Sequence, residues 1–243
     1  MRTHLWLMLI LVGGLQSCGY RGLVNPNVTQ VPAGGQTKVM VVPADFVINE
    51  VGFGRSQERV VAWELTASKA FENAVKELSD NQTSYVVANY DQLSSDEHDV
   101  LDQHRALFAT MVPILLQIKE GKTKVWTEKR SNLTYSLGDG LAFLKQKYEV
   151  DYVIFVIGKD TVRSTGRIVL DLFKAVIPGA ESLSASNAYV VVGIANAANG
   201  EILFFDTDTA KRKSLSNEGD VKEMARNSLS DFRNLTRQKV NSK

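Results

Sequence analysis

Three histidines (His4, His98 and His104) and one cysteine (Cys18) make up the whole imidazole and thiol supply of this 243-residue chain. A single cysteine excludes an intrachain disulfide and a cysteine-rich zinc site. His98 and His104 stand six residues apart. On a helix turning about 100° per residue they are about 240° apart, so they cannot share a metal as an i, i+4 pair would. Asp206-Thr207-Asp208, at a strand's end, could bind a divalent cation through its carboxylates, although such residues more often stop a strand in a turn. Gly158-Lys159-Asp160 is no phosphate loop, because the glycine-rich lead is missing and Asp stands where Ser or Thr is needed. A Gly-x-Ser-x-Gly elbow is absent. Trp63, Trp126 and Tyr189 offer ring faces to a ligand, but such rings more often belong to a core. The reading assigns no catalytic residue, no metal ligand and no cofactor, and expects no enzyme.

Charge narrows the field further. Lys and Arg number 28 against 27 Asp and Glu, a formal net charge of +1. Affinity for nucleic acid rests on clustered cations that neutralise many phosphates, so this balance excludes a polyanion-binding specialist. Hydrophobic residues are 44% and charged residues 23%, an ordinary folded composition with material for one large or two small domains.

The first eighteen residues carry an address. Met1-Arg2-Thr3-His4 is short and basic, and Leu5 to Val12 is an apolar run of eight residues, eleven if carried to Leu15. A helix needs about 20 apolar residues to cross a bilayer, so the run suits a secretory leader instead. Leu15-Gln16-Ser17-Cys18 resembles the lipobox of bacterial lipoproteins: an aliphatic residue three before the cysteine and a small one just before it, with Gln16 departing from the usual small or branched residue. The resemblance implies that residues 1–17 are a signal peptide and that Cys18 is the lipidation site, acylated on sulfur and on its new amino group. No thiol nucleophile then remains. Several acyl chains, each contributing about 0.8 kcal/mol per buried CH2, make a stable anchor. Gly19 in place of Asp implies, by resemblance to enterobacterial sorting, the outer membrane, with the domain facing the periplasm.

Residues 18–36 read as the lipidated N-terminus and a flexible tether, because Gly19, Gly22, Pro26, Pro32, Gly34 and Gly35 interrupt every period. Fully extended, that stretch reaches at most about 60 Å. Residues 37–243 read as one periplasmic domain. Lys38 to Pro43 suits a buried strand ended by its proline. Apolar spacing from Val60 to Leu78 predicts a helix, Tyr85 to Ala88 a strand, and Val100 to Ile118 a second helix that Pro113 should kink or divide. Leu133, Leu137, Leu141, Leu144 and Tyr148 mark a third helical face, its regular part beginning near Ser136 or Gly138. Tyr152 to Ile157 is the most apolar strand and belongs at the sheet centre. Asn199-Gly200 predicts a type I′ hairpin joining Ala188–Ile194 to Ile202–Phe205. A last helix runs from Glu218 to about Arg237, and its exposed side is basic: residues 211–243 hold nine Lys/Arg against four Asp/Glu. The order β-α-β-α-α-β-insert-β-β-α predicts an α/β fold, a single domain with a mixed central sheet flanked by helices and closed by a C-terminal hairpin and helix.

The Val150-Asp151-Tyr152 strand entry and the hairpin Val192-Gly193-Ile194-Ala195-Asn196-Ala197-Ala198-Asn199-Gly200-Glu201-Ile202-Leu203 resemble a group of envelope lipoproteins. Their domain is like the N-terminal domain of TolB, and they include activators of penicillin-binding proteins and the curli secretion channel subunit. The resemblance spans roughly Thr37 to Arg237, and the helical region from Asp96 to Lys119 exceeds what the group would lead one to expect. It implies a non-catalytic, lipid-anchored protein that binds and regulates or assembles another envelope component; the alternative is a subunit of an oligomeric secretion or pore complex. The expected partners are the membrane through lipid on Cys18, an envelope protein and a second copy of the chain, with no nucleic acid. Between strands, Arg167 to Gly179 is apolar almost throughout. It is read either as packed core or as a contact surface, with Ile168, Leu170, Leu172, Phe173 and Val176 the candidate partner-contact residues.

Overall fold

The computed structural model describes residues 22–25, 36–52, 56–121, 133–163, 187–211 and 213–238. The strands are β1 (Leu23–Val24), β2 (Thr37–Val41), β3 (Asp45–Val51), β4 (Gln57–Arg59), β5 (Thr83–Val87), β6 (Tyr152–Arg163), β7 (Asn187–Asn196) and β8 (Ile202–Lys211). The helices are α1 (Val61–Lys76), α2 (Ser95–Glu120), α3 (Ala142–Tyr148) and α4 (Glu218–Gln238). All eight strands join one mixed sheet, ordered β1-β8-β7-β6-β2-β5, with β3 beside β6 and β4 beside β3. The expected α/β fold with a mixed central sheet is what forms.

β6 is the axis, as its apolar run predicts. Tyr152, Ile154 and Val156 enter one core; Val153 and Phe155 enter the other. Period-2 alternation therefore gives both faces apolar side chains, which is why the sequence reads as a continuous run. One core packs under α1 and α4 around Phe71, Phe204 and Phe232. The opposite core packs under α2 and α3, where Phe108 stacks on Phe155 at 5.6 Å between ring centroids. Phe108 sits against Gly193, which leaves no room there for a Cβ.

Pro43 does end β2, but the chain resumes beside the same neighbour. β2 and β3 both run parallel to β6, with Val41 opposite Ile154 and Asp45 opposite Ile157. Four steps on one strand match three on the other, so the turn at Pro43 inserts one residue. The β3–β4 hairpin is absent from the sequence reading, because Asn49-Glu50 and Gln57-Glu58-Arg59 carry no apolar alternation.

Four further expectations are corrected. Pro113 does not divide α2, which is helical from Ser95 to Glu120. Pro113 lies on the exposed side, where water can take the carbonyl it leaves unpaired. The ends of α2 are well capped: Ser94 and Glu97 form a capping box, and Gly121 closes the helix at φ 66°. Leu133 and Leu137 are buried, yet not on a helix. Their segment runs extended, Ser136 bridging Glu201 and Leu137 N donating to the Gly200 carbonyl at 2.8 Å, before a 3-10 turn at Asp139–Leu141 leads into α3. The β7–β8 hairpin forms where Asn-Gly places it, but not through a type I′ turn. Only Gly200 has positive φ (66°); Asn199 does not, and instead accepts from Glu201 N through its side chain at 3.0 Å. Finally, the tether is not continuous. Leu23 and Val24 pair antiparallel with Phe205 and Phe204, so this part of residues 18–36 belongs to the sheet.

Candidate functional site

Two parts of the described surface gather polar groups. The first is a recess of about 520 Å³ at the N-terminal ends of β2, β5 and β6, lined by Lys38, Ser84, Lys145, Glu149 and Asp151 among others. Asp151 accepts from Lys38 N at 2.9 Å and pairs with the Lys145 ammonium. Lys38 Nζ donates to the Tyr148 carbonyl at 2.8 Å. Ligand crevices of open parallel sheets form at the carboxyl ends of strands, and this recess lies at the opposite end. Glu149 adopts φ 57° after α3, the left-handed position that usually falls to glycine.

The second is the outer side of β8. β1 covers Phe204 and Phe205, and from Asp206 onward no strand among the described residues lies beside β8 on this side. Lys119, near the end of α2, crosses to this edge. Its Nζ pairs with Asp206 and donates to Thr207 Oγ1 at 2.8 Å and to the Thr207 carbonyl at 3.4 Å. A lysine on a strand edge blunts it as a template for another strand. Asp206 is only 4% exposed. Burial pushes its carboxyl above the ordinary range, against the downward pull of the Lys119 ammonium and the Thr207 N–H; Asp231 adds a further upward push. Asp206-Thr207-Asp208 lies within β8 rather than in a turn that stops it. Asp208 accepts from Asn227 Nδ2 at 3.3 Å.

Other buried carboxylates are saturated in the same way. Glu64 accepts from Arg59 Nε at 2.7 Å, Arg59 Nη2 at 2.9 Å and Ile48 N at 3.0 Å. The Arg59 hydrogen bond is the main cause that holds its carboxyl below the usual range. Asp160 is fully buried on β6 and accepts from Ser214 Oγ at 2.7 Å and Leu215 N at 2.8 Å, tying the approach to α4 onto the sheet. A carboxylate whose lone pairs are filled by fixed internal donors positions chain; it is poorly placed to take a substrate proton.

The histidines are held apart. His98 lies 3.7 Å from Asp102 with its ring edge-on to Tyr90, whose hydroxyl burial pushes up to about 12. His104 Nδ1 is 2.7 Å from the Val100 carbonyl, which only accepts, so that nitrogen carries the proton. Among the described residues no three His, Cys, Asp or Glu side chains gather to hold a metal ion. No described helix is long and apolar enough to cross a membrane. Trp63 packs half-buried against the α1–α4 core and Tyr189 against the other, while Trp126 lies outside the described residues. The basic side of α4 is partly paired, Arg226 with Glu77 at 2.9 Å and Arg233 with Asp80 at 3.7 Å. Cys18 and the contact candidates Ile168, Leu170, Leu172, Phe173 and Val176 also lie outside the described residues.

Sequence reasoning missed Leu23–Asn25, Lys119 and the Arg59–Glu64 pair. Asn25 is fully buried, its Nδ2 donating to Glu201 Oε1 at 2.9 Å and to the Ile202 carbonyl at 3.2 Å. A two-residue apolar signal inside a Gly/Pro-rich stretch is too short to announce a strand.

No protein-family model matches the chain, and no curated protein sequence does. Among solved structures it is similar to a PelC dodecamer from Paraburkholderia phytofirmans, at 10% identity over 83% of this chain and 91% of that one, with a TM-score of 0.34. It is also similar to the LpoB C-terminal domain from Salmonella enterica, at 10% identity over 76% of this chain and 91% of that one, with a TM-score of 0.27. Likeness at this level carries no assignment of family or function.

Proposed function

We propose that this chain is a lipid-anchored protein of the bacterial envelope, attached through Cys18 to the periplasmic face of the outer membrane. It works without catalysis, by binding and regulating or assembling another envelope component. The observation that carries this reading is the order of a basic start, a short apolar run and Leu15-Gln16-Ser17-Cys18, with the chain's only cysteine at that position. The saturated carboxylates support it, since the described polar groups fix chain junctions rather than stand ready for a substrate. Binding falls to the apolar Ile168–Ile177 stretch, where eight of ten residues are apolar. Four such side chains would contribute about 6–12 kcal/mol on burial before the costs of association.

Metabolic labelling with fatty acid, in wild type and Cys18→Ser, tests the anchor. Wild type takes up label and the variant does not; an unlabelled wild type that salt washes from membranes ends the reading. Leu170→Glu with Phe173→Glu tests the contact. Loss of crosslinked partner at an unchanged Tm supports it, and collapse of the Tm places these side chains in a core instead.

A further inference from the structure

We infer that β1 decides which part of the domain meets the membrane: the corner where β8 reaches its Lys211 end lies against the lipid surface. This rests on the anchor reading of Cys18. β1 is antiparallel to β8, with Leu23 opposite Phe205 and Val24 opposite Phe204. Gly22 therefore lies on the Lys211 side of Leu23, and the chain enters β1 from that end of β8. Five residue steps separate Cys18 from Leu23, at most about 18 Å of extended chain. Over the same direction β8 continues six residues past Phe205, about 20 Å. The two lengths match, so a lipid on Cys18 is not drawn clear of the sheet. Were β1 not docked, the leash would run nineteen residues to Thr37 and reach about 65 Å.

The docking is specific. Leu23 is 5% exposed and Asn25 fully buried, and Asn25 N donates to the Leu203 carbonyl at 2.8 Å. Gly22 lies flush on β8, where a Cβ would meet the Phe204 ring at 2.7 Å and the Phe205 carbonyl at 2.9 Å. The corner suits a headgroup layer. Thr209 is exposed, the Lys119 charge is matched by Asp206 and that of Lys213 by Glu223 at 2.8 Å, and the sequence at the end of β8 adds Lys211 and Arg212, of the charge that anionic headgroups attract.

The test uses the lipidated full chain in vesicles of phosphatidylethanolamine and phosphatidylglycerol that carry a quencher on a fraction of the headgroups. Acylation consumes the Cys18 thiol, so a cysteine placed by Thr209→Cys or by Gln82→Cys takes a single fluorophore. Four strand spacings and the height of the sheet put these positions about 35 Å apart. The dye at 209 is expected to be quenched several-fold more than the dye at 82. Gly22→Val, or a long glycine-serine insert between Gly19 and Tyr20 that leaves β1 intact, should bring the two toward equality. Protein that floats with the vesicles but shows equal quenching in the parent overturns this proposal alone. Protein that neither floats nor carries lipid ends the anchor reading, and the orientation with it.

Discussion

Replacing Gly200 with Ala probes the junction that holds the β7–β8 hairpin to the segment before α3. Gly200 has φ 66°, and a left-handed backbone costs an L-residue about 1–2 kcal/mol. A Cβ there would also enter the van der Waals shell of the Gly138 carbonyl, a backbone atom that cannot rotate away. The segment from Tyr135 to Gly138 must then withdraw. Two hydrogen bonds go with it, Leu137 N to the Gly200 carbonyl at 2.8 Å and Ile202 N to the Tyr135 carbonyl at 2.7 Å. At about 0.5–1.5 kcal/mol each they add about 1–3 kcal/mol. The expected loss is about 2–5 kcal/mol, a large share of the usual 5–15 kcal/mol of a folded domain. Urea unfolding at neutral pH reads it as a fall in midpoint with an unchanged slope. Gly200→Asn separates the two causes, because asparagine tolerates the left-handed region but brings the same Cβ. A large loss in both variants supports the clash. An asparagine variant within about 0.5 kcal/mol of wild type, the usual range of an inconsequential surface substitution, would refute it.

Glu149 presents the opposite case, a φ of 57° on a residue with a side chain after α3. Glu149→Gly should raise stability by about 0.5–1 kcal/mol, seen as a higher Tm, and a lower Tm would show that the side chain holds something the backbone strain conceals. Glu64→Gln should cost about 1–2 kcal/mol at neutral pH, since Arg59 and Ile48 N lose a charged acceptor while Arg59, 58% exposed at its side chain, is partly screened. Arg59 holds the Glu64 carboxyl below its ordinary value, so this stabilisation is present above that value and lost as pH falls through the depressed one. The gap between wild type and Glu64→Gln in urea should therefore shrink below about pH 4; a gap that stays constant with pH would show that charge is not its source.

Periodicity carried the long elements and failed where burial is achieved by other means. β6 and α1 are legible because their apolar residues repeat at the period of the element that buries them. Leu133 and Leu137 share a spacing with Leu141 and Leu144, yet extended backbone buries the first two; spacing alone does not distinguish a helix face from a strand laid beside a hairpin. Asn199-Gly200 located the hairpin because a left-handed glycine is required there, but the turn type depended on contacts with residues more than sixty positions away. Lys119, Asp206, Arg59 and Glu64 were illegible as pairs. Lys119 and Asp206 are 87 residues apart, and Arg59 lies in a strand whose neighbours show no alternation.

The length of β6 and β7 bears on where recognition can be built. Their ladder is unbroken from Tyr152 opposite Asn196 to Lys159 opposite Tyr189, and β3 flanks β6 as far as Arg163. At about that level Asp160 clamps Ser214 and Leu215, so the start of α4 is locked to the same strand. Residues 164–186 thus join two strands that neighbours hold in register on both sides, β3 beside β6 and β8 beside β7. Binding segments are characteristically displayed from rigid supports of this kind, because a fixed base limits the entropy lost when the segment engages a partner. The proposed contact stretch Ile168–Ile177 has such a base, and the chain enters β1 from the same end of the sheet. The proposed anchor at Cys18 and the proposed contact segment would then share one end, while the recess beside Lys38 and Asp151 faces away from it.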